Sequence, residues 1–209
     1  MKYEWKKQEK HLYGAKKKAE IVKVPPQKFL TIKGEGNPNN QDFSERVGVL
    51  YPVAWNIKMG FKKFYKEHHE LQADFEYSEF AIFPLEGIWS TKNVNDITDK
   101  ESFEYKIMLR QPDWITQEMF ETAVAAVAKK ESNELLQELC FETIEDGTCV
   151  QILHLGSFDD EPASFQKMDQ LVKENGYTRK SYQHREIYLN DARKTAPEKR
   201  RTILRYQVE

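Results

Sequence analysis

The stretch His184-Arg185-Glu186-Ile187-Tyr188-Leu189-Asn190 alternates apolar and polar residues with a period of two. That is the periodicity of a strand: Ile187 and Leu189 turn to one face, and His184, Glu186 and Tyr188 turn to the other. One face belongs to a core. The other sets a carboxylate beside an aromatic ring, as a solvated antiparallel strand does and as the wall of a pocket does. What the rest of the chain places beside it decides between the two.

Working outward, Arg201 to Tyr206 reads as a strand, and so does Cys149 to Gly156. Between them Pro162 to Glu174 reads as a helix closed by Asn175-Gly176, a glycine C-cap. The first half repeats this order. A strand at Lys28 to Lys33 precedes an amphipathic helix from Asp42 to Lys66, which Pro52 should kink or divide, and strands follow at Leu85 to Ser90 and Tyr105 to Arg110. Thr116 opens a further helix, and Ser132 to Leu139 reads as a second helical piece. The expected fold is α+β: a duplicated strand-helix-strand-strand module whose antiparallel sheet carries helices on one face and a ligand groove on the other. The expected division is a solvated Lys-rich arm over 1–20 and one domain over 21–209. Its two repeats, 24–113 and 140–209, are joined by a helical segment at 116–139.

With 32 basic against 34 acidic residues, the net charge of −2 supplies no field to gather nucleic acid or an anionic membrane. The N-terminus lacks the apolar run of a signal peptide and no later segment is long enough to span a bilayer, so the expected location is the cytoplasm. Cys140 and Cys149 lack CxxC spacing and read as free thiols. Aromatic residues reach 12%, rich enough that some rings should serve a binding surface.

Superposing the two halves sets Ile88-Trp89 against Ile187-Tyr188. On that reading both isoleucines face the helices, while Trp89 and Tyr188 face a groove with Glu186. Met108 joins them from the fourth strand, and Tyr51 and Trp55 swing in from the helix kink. A groove of rings, a thioether and one carboxylate suits a bulky hydrophobic small molecule. Lys66-Glu67-His68-His69-Glu70 lacks HExxH spacing and reads as a solvated run, and Cys149 with His154 or His184 resembles no nucleophile elbow. No metal and no cofactor is expected.

VPPQKFLTIKGEGNPN at 24–39, RVGVLYPVAW at 46–55, YKIMLRQPDWIT at 105–116 and HREIYLND at 184–191, in that order and spacing, resemble the GyrI-like small-molecule-binding family. The resemblance covers nearly the whole chain and implies a ligand cleft between two repeats. In regulators of this family the module is fused to a helix-turn-helix and senses amphipathic cations through a Glu matching Glu186; twenty Lys-rich residues cannot house such a region. A stand-alone module is most similar to the cyclopropanoid cyclopropyl hydrolases, which open the cyclopropane of yatakemycin-type DNA-alkylating compounds in an aromatic cage. The resemblance thus implies Glu186 and Tyr188 as catalytic, with Tyr51, Trp55, Trp89 and Trp114 around the ligand. Its alternatives are a non-catalytic binder or sensor of hydrophobic or cationic drugs, and a topoisomerase-interacting protein.

Overall fold

Eight strands pair antiparallel, edge to edge, in a computed structural model of the chain that describes residues 2–67 and 79–209. They are β1 (Glu20–Val24), β2 (Gln27–Glu35), β3 (Leu85–Thr91), β4 (Phe103–Gln111), β5 (Cys140–Ile144), β6 (Gly147–Leu155), β7 (His184–Tyr188) and β8 (Arg201–Gln207). Their order in the sheet is β1-β6-β8-β7-β3-β4-β2-β5. Read inward from either edge, this is a leading strand followed by the first, last and middle strands of one half. The symmetry is one of strand order. It brings β3 and β7 together at the middle of the sheet.

Directly paired residues share a face, so the register defines what lies on each side. The row Ile152, Leu204, Glu186, Gly87, Ile107, Ile32 crosses the sheet on one face. At one end of it α3 (Gln41–Glu67) buries Val53, Ile57 and Phe61 against Ile32, Ile107 and Leu109. At the other, α5 (Pro162–Glu174) buries Met168 and Val172 against Val150, Ile152 and Leu204. Both long helices therefore lie on this face, over opposite halves, and α4 (Gln117–Ala128) packs on α3. The local signals behave as their chemistry requires: the Thr116 hydroxyl accepts from the Met119 amide, and Gly176 takes φ +71° beyond α5.

The neighbouring row, Leu153, Ile203, Ile187, Glu86, Met108, Thr31, forms the far face. Ile88 and Ile187 thus point away from the helices, the reverse of the expectation. The reason is a cover that charge counting hides. Residues 2–20 are no solvated arm: α1 (Trp5–Gln8) and α2 (Lys10–Tyr13) bury Trp5, Leu12 and Tyr13 with Phe83 against Ile187 and Ile203. Each such burial stabilises by about 1.5–3 kcal/mol, while the lysines remain in water.

Two smaller expectations also change. α3 runs unbroken through Pro52 instead of dividing there, since its remaining turns are anchored on the sheet by Val49, Leu50, Val53 and Ala54. The piece at 132–139 is a 3-10 turn, Glu134–Glu138. His68, His69 and Glu70 lie outside the described residues. Among those described, no helix is long and apolar enough to cross a membrane, and both cysteines are free.

Candidate functional site

Between α3 and α5 the floor of the helix face is made by β3 and β7. Alternation puts His184, Glu186 and Tyr188 there, with Trp89 paired to His184 and Gly87 paired to Glu186. Gly87 is what shapes this floor: a Cβ at that position would sit 2.5 Å from Nε1 of Trp89, so only a glycine lets the indole fold flat across the strand. Phe43 of α3 stacks on the indole at 5.8 Å between centroids, and Tyr105 and Phe103 border it at 5.3 and 6.0 Å.

The polar groups form a chain. Trp89 Nε1 donates to the Tyr188 hydroxyl at 2.9 Å. Burial first, and then the negative charge of Glu186 to which it bonds, pushes the Tyr188 hydroxyl well above the ordinary tyrosine value, so it stays a donor. Glu186 Oε1 also lies 3.1 Å from Nε2 of His184, whose ring meets Phe165 edge-on at 5.0 Å.

The opposite wall comes from the start of α5. Phe158 meets the Tyr188 ring edge-on at 6.0 Å. Glu161, 7% exposed, stands at the helix N-cap without capping it, and among the described residues its Oε1 has no hydrogen-bond partner. Burial, then the charges of Glu186 and Asp159, push its carboxyl well above the usual range. Glu161, His184 and Glu186 each bring a ligand atom within 4.8 Å of the others. The site thus offers flat apolar walls, an acid held by two neighbours, and a second acid with a free oxygen.

Of the residues singled out from sequence, Trp89, Glu186 and Tyr188 come together here. Tyr51 is half-buried on α3 with its hydroxyl near Asp191 and Arg193 in the β7–β8 connection. The other three do not join them. Met108 is fully buried on the far face, one residue out of phase. Trp55 is 48% exposed with the Lys58 ammonium 4.7 Å over its ring, because Val53, Ala54 and Ile57 already fill that turn's contact with the sheet. Trp114 lies past the end of β4, against Tyr3, Phe61 and Phe80 at 5.3, 6.2 and 6.4 Å.

The far face does hold a hollow of about 600 Å³, but charges line it: Lys106, Asp146, Arg185 and Arg205, with Ile88 and an approach to His184. Sequence reading passed over Phe158, Glu161 and Gly87. Gly87 carried a signal, a glycine inside a strand. Glu161 carried none, since an acid just ahead of a helix is ordinary capping chemistry.

A family model described as the GyrI-like small molecule binding domain matches residues 17–208. Three crystal structures from Listeria innocua are similar over the full length of both chains: an uncharacterized conserved protein at 34% identity and TM-score 0.87, and proteins described as hydrolases at 33% and 32%, with TM-scores of 0.87 and 0.85. The crystal structure of the EcmrR C-terminal domain, at 14% identity and TM-score 0.51 over 92% of this chain and 97% of its own, shares the fold alone. No curated protein matches the chain.

Proposed function

The chain belongs to the GyrI-like small-molecule-binding family, and from that premise we propose that its cleft takes a flat hydrophobic electrophile and opens it with water, as a cofactor-independent hydrolase of cyclopropanoid alkylating compounds. The observation that carries this reading is the hydrogen-bonded run Trp89, Tyr188, Glu186 between aromatic walls. The description of two full-length relatives as hydrolases supports it.

The edges of the Trp89 indole and the Tyr188 ring border the planar compound, with Phe43 stacked on the indole and Phe158 edge-on to Tyr188. Glu186 takes a proton from water as the water oxygen bonds to the strained cyclopropane carbon. The carbon–carbon bond breaks, its electron pair passes through the conjugated dienone, and the former carbonyl oxygen becomes a phenolate that is then protonated. The product is substrate plus one water. Tyr188 sets the direction of the Glu186 carboxylate, because its hydroxyl accepts from Trp89 and donates a hydrogen bond to Glu186. Positioned general-base help of this kind is worth about 10²–10⁴-fold.

Incubating the pure protein with a cyclopropane-bearing alkylator and following mass should show conversion to the hydrate. Glu186→Gln should lose about 10²–10⁴-fold in turnover while still binding the compound. Full-rate turnover by that variant removes the base assignment. One observation favours a second reading, a binder of hydrophobic cations: Glu161 and Glu186 set two carboxyl groups against one cleft. Tight binding with unchanged ligand mass supports that reading over hydrolysis.

A further inference from the structure

We propose that Glu161, His184 and Glu186 form a binding site for one divalent transition-metal ion of the Mn²⁺ or Zn²⁺ kind. The three side chains reach one point from two separate elements, Glu161 from the head of α5 and the other two from β7. Their ligand atoms lie within 4.8 Å of one another, and His184 Nε2 stands 3.1 Å from Glu186 Oε1. Adjacent ligands on an ion with bonds of about 2.1 Å sit about 3 Å apart, so that pair already has ligand spacing, and Glu161 needs only a short side-chain movement to close the set.

Independent of this spacing, Glu161 is 7% exposed and its Oε1 has no hydrogen-bond partner among the described residues. A carboxylate oxygen withdrawn from water beside a second carboxylate calls for a positive partner, and among the described residues no lysine or arginine forms an ion pair with either acid. One imidazole and two carboxylates, with no thiolate, select a borderline or hard divalent ion over copper(I) or an iron–sulfur cluster. The outer contacts are of the kind that steady a metal ligand: the Tyr188 hydroxyl bonds Glu186 and is itself fixed by Trp89 Nε1 at 2.9 Å.

The site stands apart from the hydrolase reading, since occupancy needs no substrate. It does meet that reading at Glu186: a bound metal ion would occupy the carboxylate that the hydrolase reading uses as its base, and an organic cation would compete with the ion for it.

The test uses the full chain, stripped with chelator and titrated calorimetrically with MnCl₂ and, separately, ZnCl₂, with Mn²⁺ occupancy checked by electron paramagnetic resonance. One equivalent should bind saturably. Glu161→Gln and His184→Ala should each weaken it at least tenfold, and His11→Ala, a control outside the site, should leave it unchanged. Glu161→Gln keeps the shape of the side chain, and its fold is verified by circular dichroism so that lost binding is not lost structure. The proposal is overturned if no saturable equivalent binds, which leaves a proton as the partner of Glu161, or if binding survives Glu161→Gln unchanged, which marks an adventitious ion only.

Discussion

At the scale of single residues, the packing of the β3–β7 floor depends on an atom that is missing. Gly87 faces Glu186 across the β3–β7 pair, and the space a side chain would take is filled by the Trp89 indole. Gly87→Ala sets a methyl group 2.5 Å from Nε1, well inside van der Waals contact. Strands tolerate alanine at little local cost, so nearly all of the effect must come from that collision. The indole has to leave the strand, and with it goes the 2.9 Å bond to Tyr188. Urea unfolding of Gly87→Ala should show a loss of about 1–3 kcal/mol, the usual cost of overpacking. Affinity for a flat aromatic ligand should fall in parallel. A loss under about 0.5 kcal/mol would mean that the indole relocates freely and does not organise the floor.

At the scale of elements, the segment that carries α1 and α2 is part of the fold. Its backbone and side chains satisfy charges buried on the far face: Arg205 Nη2 donates to the Leu12 carbonyl at 2.6 Å, the Tyr13 hydroxyl donates to Glu86 at 2.9 Å, and Glu9 pairs with Arg110. Deleting residues 1–15 leaves Arg205, Glu86 and Arg110 without those partners, and stranded buried charges cost several kcal/mol each. The deletion should abolish cooperative unfolding. Leu12→Ala, which only opens a cavity, should cost about 2–5 kcal/mol by urea unfolding. A deleted protein that unfolds with the wild-type midpoint would show the segment to be a passive cover. The same segment shows where sequence reading stops. Strands, caps and helix stripes were legible because each is a local pattern, as Thr116 and Asn175-Gly176 illustrate. The choice of face was not: alternation separates Ile187 from Tyr188, but only the cover supplied by Trp5 and Leu12 decides that isoleucine turns away from the helices. Seven lysines over residues 2–20 mask Trp5, Leu12, Tyr13 and Ala15, which the fold buries, and Met108 falls outside the site for a separate reason: β4 pairs it with Glu86, one residue out of phase with Trp89.

At the scale of the whole molecule, opposing sets of carboxyl groups set the dependence of stability on pH. Hydrogen bonds from Arg46 and from Arg193 hold Asp42 and Asp191 below the ordinary aspartate value. Their contribution is present above the unfolded value and is lost as pH falls through the folded one; with 49% and 34% of their side chains exposed, it is small. Glu161 works in the other direction. Burial and the charge of Glu186 raise its carboxyl well above 4.5, so between the unfolded and folded values the native chain holds a proton that the unfolded chain has released. Its contribution is complete below the unfolded value and declines as pH rises through the folded one. Glu86, raised by burial against the pull of Arg185, adds to the same trend. Chelator-treated protein should therefore be more stable on the acid side of neutrality and lose up to about 1.4 kcal/mol per pH unit for each proton that the native chain keeps and the unfolded chain has released. Glu161→Gln carries no such proton, so the free-energy gap between variant and wild type should move in the variant's favour from pH 5 to pH 8 in urea titrations. Parallel profiles would mean that Glu161 is already ionised in the native state at pH 5, and a partner for its buried oxygen would then have to be present in the protein even without metal.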